Sequence, residues 1–289
     1  MNNRGNILTI FQSPHASTKK VAEFLGETFE SSGYRCEYVD LKGTKTNECS
    51  NIVKKIIKND YELVIIGTPV YLDHALRPVK DFIKSIPKLD KRVKAILFTT
   101  FGETSTGVAI PEMFKILKKR NFDIIGVVNV VSEHTLMFQG GNPLGKNRPN
   151  EDDFNLIESF AKNIIGKMEK GQDYNALKLS QMPKKPFWYK LMSLFVFRMN
   201  SLGRTFPEIV FNSEKCNKCG MCKTVCSSGI LSQENISPGK SKECLKCYEC
   251  VRCCPQNAVC AGLRDFEWKV LRKKRIVKEF ETFNTEFLI

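Results

Sequence analysis

Residues 63–72 read Leu-Val-Ile-Ile-Gly-Thr-Pro-Val-Tyr-Leu. A short apolar run rich in β-branched side chains, halted by Gly67 and Pro69, is what a strand covered on both faces of a parallel sheet requires. The Pro then stiffens a loop that holds Tyr71 just past the strand's carboxyl end. Similar runs occur at Ile7 to Phe11, Val93 to Thr99 and Ile124 to Val131, with a weaker one at Arg35 to Val39.

Helical periodicity fills the gaps between these runs. Ser17 to Ser31 places Val21, Phe24, Leu25, Thr28 and Phe29 on one face, and Cys49 to Lys58 does the same with Ile52, Val53, Ile56 and Ile57. Further helices are expected over Arg77 to Ser85, Gly107 to Arg120 and Glu151 to Glu169. Strands alternating with helices specify an α/β unit with a doubly wound parallel sheet of five strands. Ligands of such sheets sit outside the carboxyl ends of the strands, where the strand order reverses.

Three loops occupy that end. Gln12-Ser13-Pro14-His15-Ala16-Ser17-Thr18 leads into a helix start, whose amides and dipole suit a phosphate. Pro69-Val70-Tyr71-Leu72 supplies an aromatic on a stiff loop, and Thr99-Thr100-Phe101-Gly102-Glu103 supplies a second flat side chain beside a close backbone approach. These loops resemble those of the flavodoxin family, over about residues 6–172, with Gly67-Thr68-Pro69-Val70-Tyr71 as the best match. The opening Ser13-Pro14-His15 followed by Ser17-Thr18 also looks like the start of flavodoxin-like FMN reductases. The resemblance implies strand order 2-1-3-4-5 and an FMN held by Ser13, His15, Ser17, Thr18, Pro69, Val70, Tyr71, Leu72, Thr100, Phe101 and Gly102. Ala16 departs from the pattern, which has Gly there, and His15 stands where a hydroxyl is usual. His134 follows the fifth strand at the same end of the sheet.

A second unit announces itself near the other terminus. Cys216, Cys219, Cys222 and Cys226, then Cys244, Cys247, Cys250 and Cys254 before Pro255, spell C-x2-C-x2-C-x3-C twice. Three thiolates at that spacing hold three corners of an iron-sulfur cube on one tight loop. A tetrahedral zinc is completed by two pairs, leaving the third Cys surplus. Disulfides need an oxidising compartment, and Met1 to Gly5 is polar with only the short run Ile7 to Phe11 after it, so a cytoplasmic protein is expected. The doubled run resembles bacterial ferredoxins with two [4Fe-4S] clusters, in which the fourth Cys crosses to the other cube. That resemblance implies one cluster on Cys216, Cys219, Cys222 and Cys254 and another on Cys244, Cys247, Cys250 and Cys226. Ser227 replaces the Pro that usually follows the fourth Cys. Cys253, Cys260, Cys36 and Cys49 fit no such spacing and read as small packed thiols.

Four segments follow from these boundaries: residues 1–172, flavodoxin-like; 173–205, a basic amphipathic connector; 206–262, a small α+β dicluster ferredoxin unit; and 263–289, a basic helical tail. The connector carries Lys178, Lys184, Lys185, Lys190, Arg198 and Arg204 with no acidic residue from Tyr174 to Pro207. Its run Phe187 to Met199 reads as a helix packed between the modules, with a membrane surface as the less favoured alternative. In the tail, Arg272-Lys273-Lys274-Arg275 lies amid apolar residues from Phe266 to Phe287.

With 289 residues, 42% hydrophobic and 26% charged, the chain has enough apolar material for two cores, and no run spans a bilayer. The formal charge of +14 falls to roughly +8 once two oxidised cubes and an FMN phosphate are counted. No nucleic-acid motif accompanies that charge, so an acidic soluble redox protein is the expected partner. The whole resembles flavodoxin-ferredoxin fusions of anaerobic bacteria, implying an electron-transfer protein that couples FMN to two clusters. A flavin-dependent reductase of a small organic acceptor stays open as the alternative. No second Gly-rich dinucleotide loop is present for a nicotinamide cofactor.

Overall fold

The computed structural model describes residues 4–43, 46–58, 60–170, 176–182, 206–232, 241, 243–277 and 284–289. In chain order the first unit comprises β1 (Asn6–Phe11), α1 (Ser17–Ser31), β2 (Arg35–Asp40), α2 (Thr46–Ile57), β3 (Leu63–Tyr71) and the short β4 (His74–Ala75). It continues through α3 (Arg77–Ser85), β5 (Val93–Phe101), α4 (Ala109–Lys118), β6 (Phe122–Val131) and α5 (Glu151–Glu169). Parallel pairing gives the order β2-β1-β3-β5-β6. These are the five expected strands in the expected order.

Leu63, Val64, Ile65 and Ile66 have no solvent exposure, because successive residues of β3 face opposite layers and both layers are covered. On one side Val21, Leu25 and Phe29 of α1 pack with Ile157, Phe160 and Ile164 of α5. On the other, Val79 and Ile83 of α3 pack with Met113 and Leu117 of α4. Each such side chain contributes ~1.5–3 kcal/mol on burial. Gly67 is required where β3 meets β5, since a Cβ there would lie 1.9 Å from the Phe98 ring.

The second unit contains β7 (Val210–Phe211), α6 (Met221–Val225), α7 (Glu249–Arg252) and β8 (Val259–Cys260). β7 and β8 pair antiparallel, and their small core includes Ile209, Leu231, Tyr248, Val251 and Leu263. Leu136 and Met137 of the first unit join that same core. Gln12 Nε2 donates to the Ser227 carbonyl at 3.1 Å across the junction.

The tail departs from the helical expectation at its end. Helix α8 (Glu267–Val277) is followed by β9 (Glu286–Leu288), which pairs antiparallel with β6 through Val127–Leu288 and Asn129–Glu286. An added antiparallel strand thus caps the sheet edge at β6, covering otherwise unpaired backbone groups. In the connector, Leu177 N donates to the Ile124 carbonyl at 2.7 Å and Met182 is buried. The proposed helix over 187–199 lies outside the described residues. Among the described residues no helix is long and apolar enough to cross a membrane.

Candidate functional site

The carboxyl ends of β1, β3, β5 and β6 open into a cavity of about 470 Å3. Its size falls within the range of small-molecule and cofactor sites. His15, Ser17, Thr18, Pro69, Val70, Tyr71, Leu72, Thr100, Phe101 and Gly102 all line it. Ser13 sits behind the first loop, where its hydroxyl accepts the Lys19 amide at 3.0 Å and organises the first turn of α1. Thr18 and Thr100 share a 2.8 Å hydroxyl contact that ties the first loop to the third. Gly102 lets the third loop approach the β6 loop, because a Cβ there would sit 2.7 Å from the His134 Cα.

Ala16 adopts φ 64° ahead of α1. Left-handed backbone costs an L-residue roughly 1–2 kcal/mol, against roughly 0.5–1 kcal/mol of extra chain entropy lost by a Gly. Ala16→Gly is therefore expected to stabilise the protein by ~0.5–1 kcal/mol, raising its thermal midpoint by about 1–4 °C. A lower midpoint in calorimetry would show that the turn does not hold that conformation.

Two features of the cavity were not legible locally. His15, on the cavity wall, also places Nδ1 2.5 Å from Glu249 Oε1 of α7 in the second unit. Helix α8 contributes Trp268, Lys269, Arg272 and Lys273 to the wall, and it is fastened by Lys273 to Asp73 at 2.7 Å and Lys274 to Glu103 at 2.9 Å. Residues of α8, expected from sequence only as part of a basic helical tail, thus roof the cavity. The amphipathic pattern marked an apolar face without saying what it would meet.

Electrostatics sort the polar groups. Burial, reinforced by the Lys273 charge, lowers the His134 imidazole to about 4, so the ring is neutral near pH 7. Its Nδ1 is buried and has no hydrogen-bond partner among the described residues. A neutral ring nitrogen on the wall suits the polar edge of a heterocycle. Burial also pushes the Tyr71 phenol well up, helped by the nearby Cys247. The aromatic walls, the hydroxyl-bearing loop at a helix start and this orphaned nitrogen fit a flavin mononucleotide.

The cysteine loops repeat one another in backbone as well as in sequence. Lys218 and Lys246 take φ 60° and 51°, and Gly220 and Tyr248 take φ 76° and 61°, at matching positions after the first and second Cys of each run. Lys218 N donates to Cys216 Sγ and Lys246 N to Cys244 Sγ, each at 3.4 Å, and Ala258 N donates to Cys254 Sγ at 3.2 Å. Three non-glycine residues held in left-handed backbone are costly, and the curl they produce turns amides toward sulfur. Amide hydrogen bonds to sulfur are what tune an iron-sulfur cluster.

The two sets of thiols are also sorted in space. Burial raises Cys222, with Cys216 and Cys254 adding to it, whereas Cys250 is raised by burial and then by Cys247, Cys244 and Cys226. Burial likewise pushes Cys247 up to about 12. Among the described residues no three His, Cys, Asp or Glu side chains converge on one ion position. A cube instead distributes four thiolates around a cage, and the donor set and loop curl fit that group. Cys253 Sγ points to the Cys250 carbonyl at 3.6 Å, as a packed thiol would.

Residues 8–128 match the Flavodoxin domain family. The uncharacterized protein MJ0298 of Methanocaldococcus jannaschii is 28% identical over 153 residues, which are 52% of this chain and 91% of that protein. Among solved structures, rubredoxin oxygen:oxidoreductase of Desulfovibrio gigas is 21% identical with a TM-score of 0.44. That similarity covers 58% of this chain and 37% of the oxidoreductase, so the chain spans little more than a third of its length. Oxidised flavodoxin 1 of Bacillus cereus is 16% identical with a TM-score of 0.43, covering 56% of this chain and 98% of its own. Strand order and the family match together establish an α/β flavodoxin-like domain.

Proposed function

We propose that this protein transfers electrons between FMN, two [4Fe-4S] clusters and a soluble, acidic redox partner. One observation carries the reading: two cysteine loops of the same backbone shape, one of which supplies Leu245 and Lys246 to the wall of the flavodoxin-like cavity. FMN exchanges two electrons together or one at a time while each cube passes one, so their union interconverts hydride-level and single-electron chemistry. The chain's own part is positional. Tyr71 and Phe101 flank the cavity, the Ser17–Thr18 turn presents a helix start to the phosphate, and α8 closes the site against water. Cys216, Cys219, Cys222 and Cys254 would hold one cluster, and Cys244, Cys247, Cys250 and Cys226 the other.

Purification under strict oxygen exclusion should yield about eight irons, eight sulfides and one FMN per chain. Zinc in place of iron, or iron without flavin, overturns the proposal. The reductase alternative draws support from Lys269 and Arg272, which line the cavity together with the neutral His134, a set able to receive a small anionic acceptor. Turnover of such an acceptor with reduced ferredoxin, lost in the flavin-free protein, would decide for it.

A further inference from the structure

The two cysteine loops stand in unlike surroundings. Around the second, Lys246 and Tyr248 are 7% and 1% exposed, and Cys250 is buried. Leu245 and Lys246 of this loop line the cavity together with Tyr71. Two polar contacts clamp this side to the first β-α loop, His15 to Glu249 and Gln12 to the carbonyl beside Cys226. The first loop instead faces outward. Cys219 is exposed, no residue from 210 to 226 lines the cavity whereas Leu245 and Lys246 of the second loop do, and Met221 and Val210 are 46% and 54% exposed. Lys215, Lys218 and Lys223 are exposed along this stretch, with Glu214 as the one acidic residue between Asn212 and Val225.

We infer that single electrons enter and leave through the Cys216–Cys222 loop, where a small acidic electron-carrier protein docks, and that the Cys244–Cys250 loop is the inner relay facing the cavity. The inference rests on the function proposed above and adds the order of the route and the docking face. Exposed lysines with two exposed apolar side chains, Met221 and Val210, on the same stretch of chain complement an acidic surface, which speeds encounter more than it tightens the complex. In each exchange the carrier's reduced centre loses one electron and the protein gains one; no bond or proton moves. Lys246 and Tyr248 then exclude water along the inner step. Solvent is thereby kept from the cavity side while the outer loop stays accessible.

A reduced acidic [2Fe-2S] ferredoxin, mixed with the anaerobically prepared full chain in stopped flow, is the probe. The second-order rate should fall with added salt. Lys215→Glu combined with Lys223→Glu should lower it about 10–100-fold at low ionic strength and little at high. Arg264→Glu combined with Arg275→Glu, on exposed positions around α8, should leave it within about twofold of the parent, the range left by weak non-specific steering. A parental rate in the lysine variant, or a comparable loss in the arginine variant, overturns the docking face. Cys219→Ser should abolish rapid exchange while iron analysis still finds the inner four; rapid exchange persisting in that variant overturns the order. Iron and FMN contents of the same samples separate the two failures. If they are absent from the parent, the proposed function itself falls; if they are present and the parent exchanges no electrons with the probe, only this inference does.

Discussion

Cys254→Ala is expected to halve the bound iron, from about eight to about four atoms per chain, and to spare the cluster held by the second loop. The reason lies in where the chain carries Cys254. Beyond α7 it reaches back to the first loop, where Cys222 responds to its charge, while Cys226 sits with Cys244, Cys247 and Cys250. The Ala258 amide donates to Cys254 Sγ at 3.2 Å, a contact that a packed thiol does not need and a cluster ligand uses. Cys253→Ala is the control, because its sulfur faces the Cys250 carbonyl instead. Iron and sulfide analysis, with low-temperature electron paramagnetic resonance of the reduced protein, reads the outcome. Loss of the second-loop cluster in Cys254→Ala would refute the crossed ligand set, and full iron in that variant with loss in Cys253→Ala would transfer the ligand to Cys253.

The paired cysteine loops were legible because their spacing is local: a Cys every third residue is written in the sequence itself, and both runs take the same backbone shape. The parallel sheet was legible for a similar reason, since each buried strand declares itself by an unbroken apolar run such as Leu63 to Ile66. Helices α3 and α5 also begin and end where periodicity placed them. What sequence reasoning missed depends on partners far along the chain. β9 has three residues, too few for any period, and exists because Leu288 finds Val127. Lys273 and Lys274 look like surface charge until Asp73 and Glu103 are brought beneath them. His15 could be placed at the cavity from its loop, but its neighbour Glu249 comes from the other unit and no local pattern announces it. Ala16 is a different kind of case. Its departure from Gly was visible, but only the backbone reveals that the position is left-handed and that Ala occupies it under strain.

The carboxylate that joins these distant parts sets the second large effect. Asp153 has no solvent exposure, and it receives hydrogen bonds from the Arg148 guanidinium, the Thr285 hydroxyl and the Asn150 amide. Burial alone would raise its pKa, but those donors overcome it and hold the group below the ordinary carboxylate range. Removing Arg148 leaves a buried charge short of its strongest partner, which costs about 3–5 kcal/mol. Arg148→Ala is therefore expected to lower the thermal midpoint by roughly 10 °C. The sign with pH follows from the depressed value. Stability from Asp153 is present above its unfolded pKa of about 3.9 and lost as pH falls through the folded value, so parent and variant should converge in acid. Thr285 extends the consequence to the tail, because its hydroxyl also accepts the Val131 amide at 3.2 Å just before β9. Hydrogen exchange over residues 286–288 should accelerate in the variant along with the thermal loss. An unchanged midpoint would mean that Asp153 finds compensation without Arg148; normal protection of β9 beside a lowered midpoint would mean that the tail strand is held by its pairing to β6 alone.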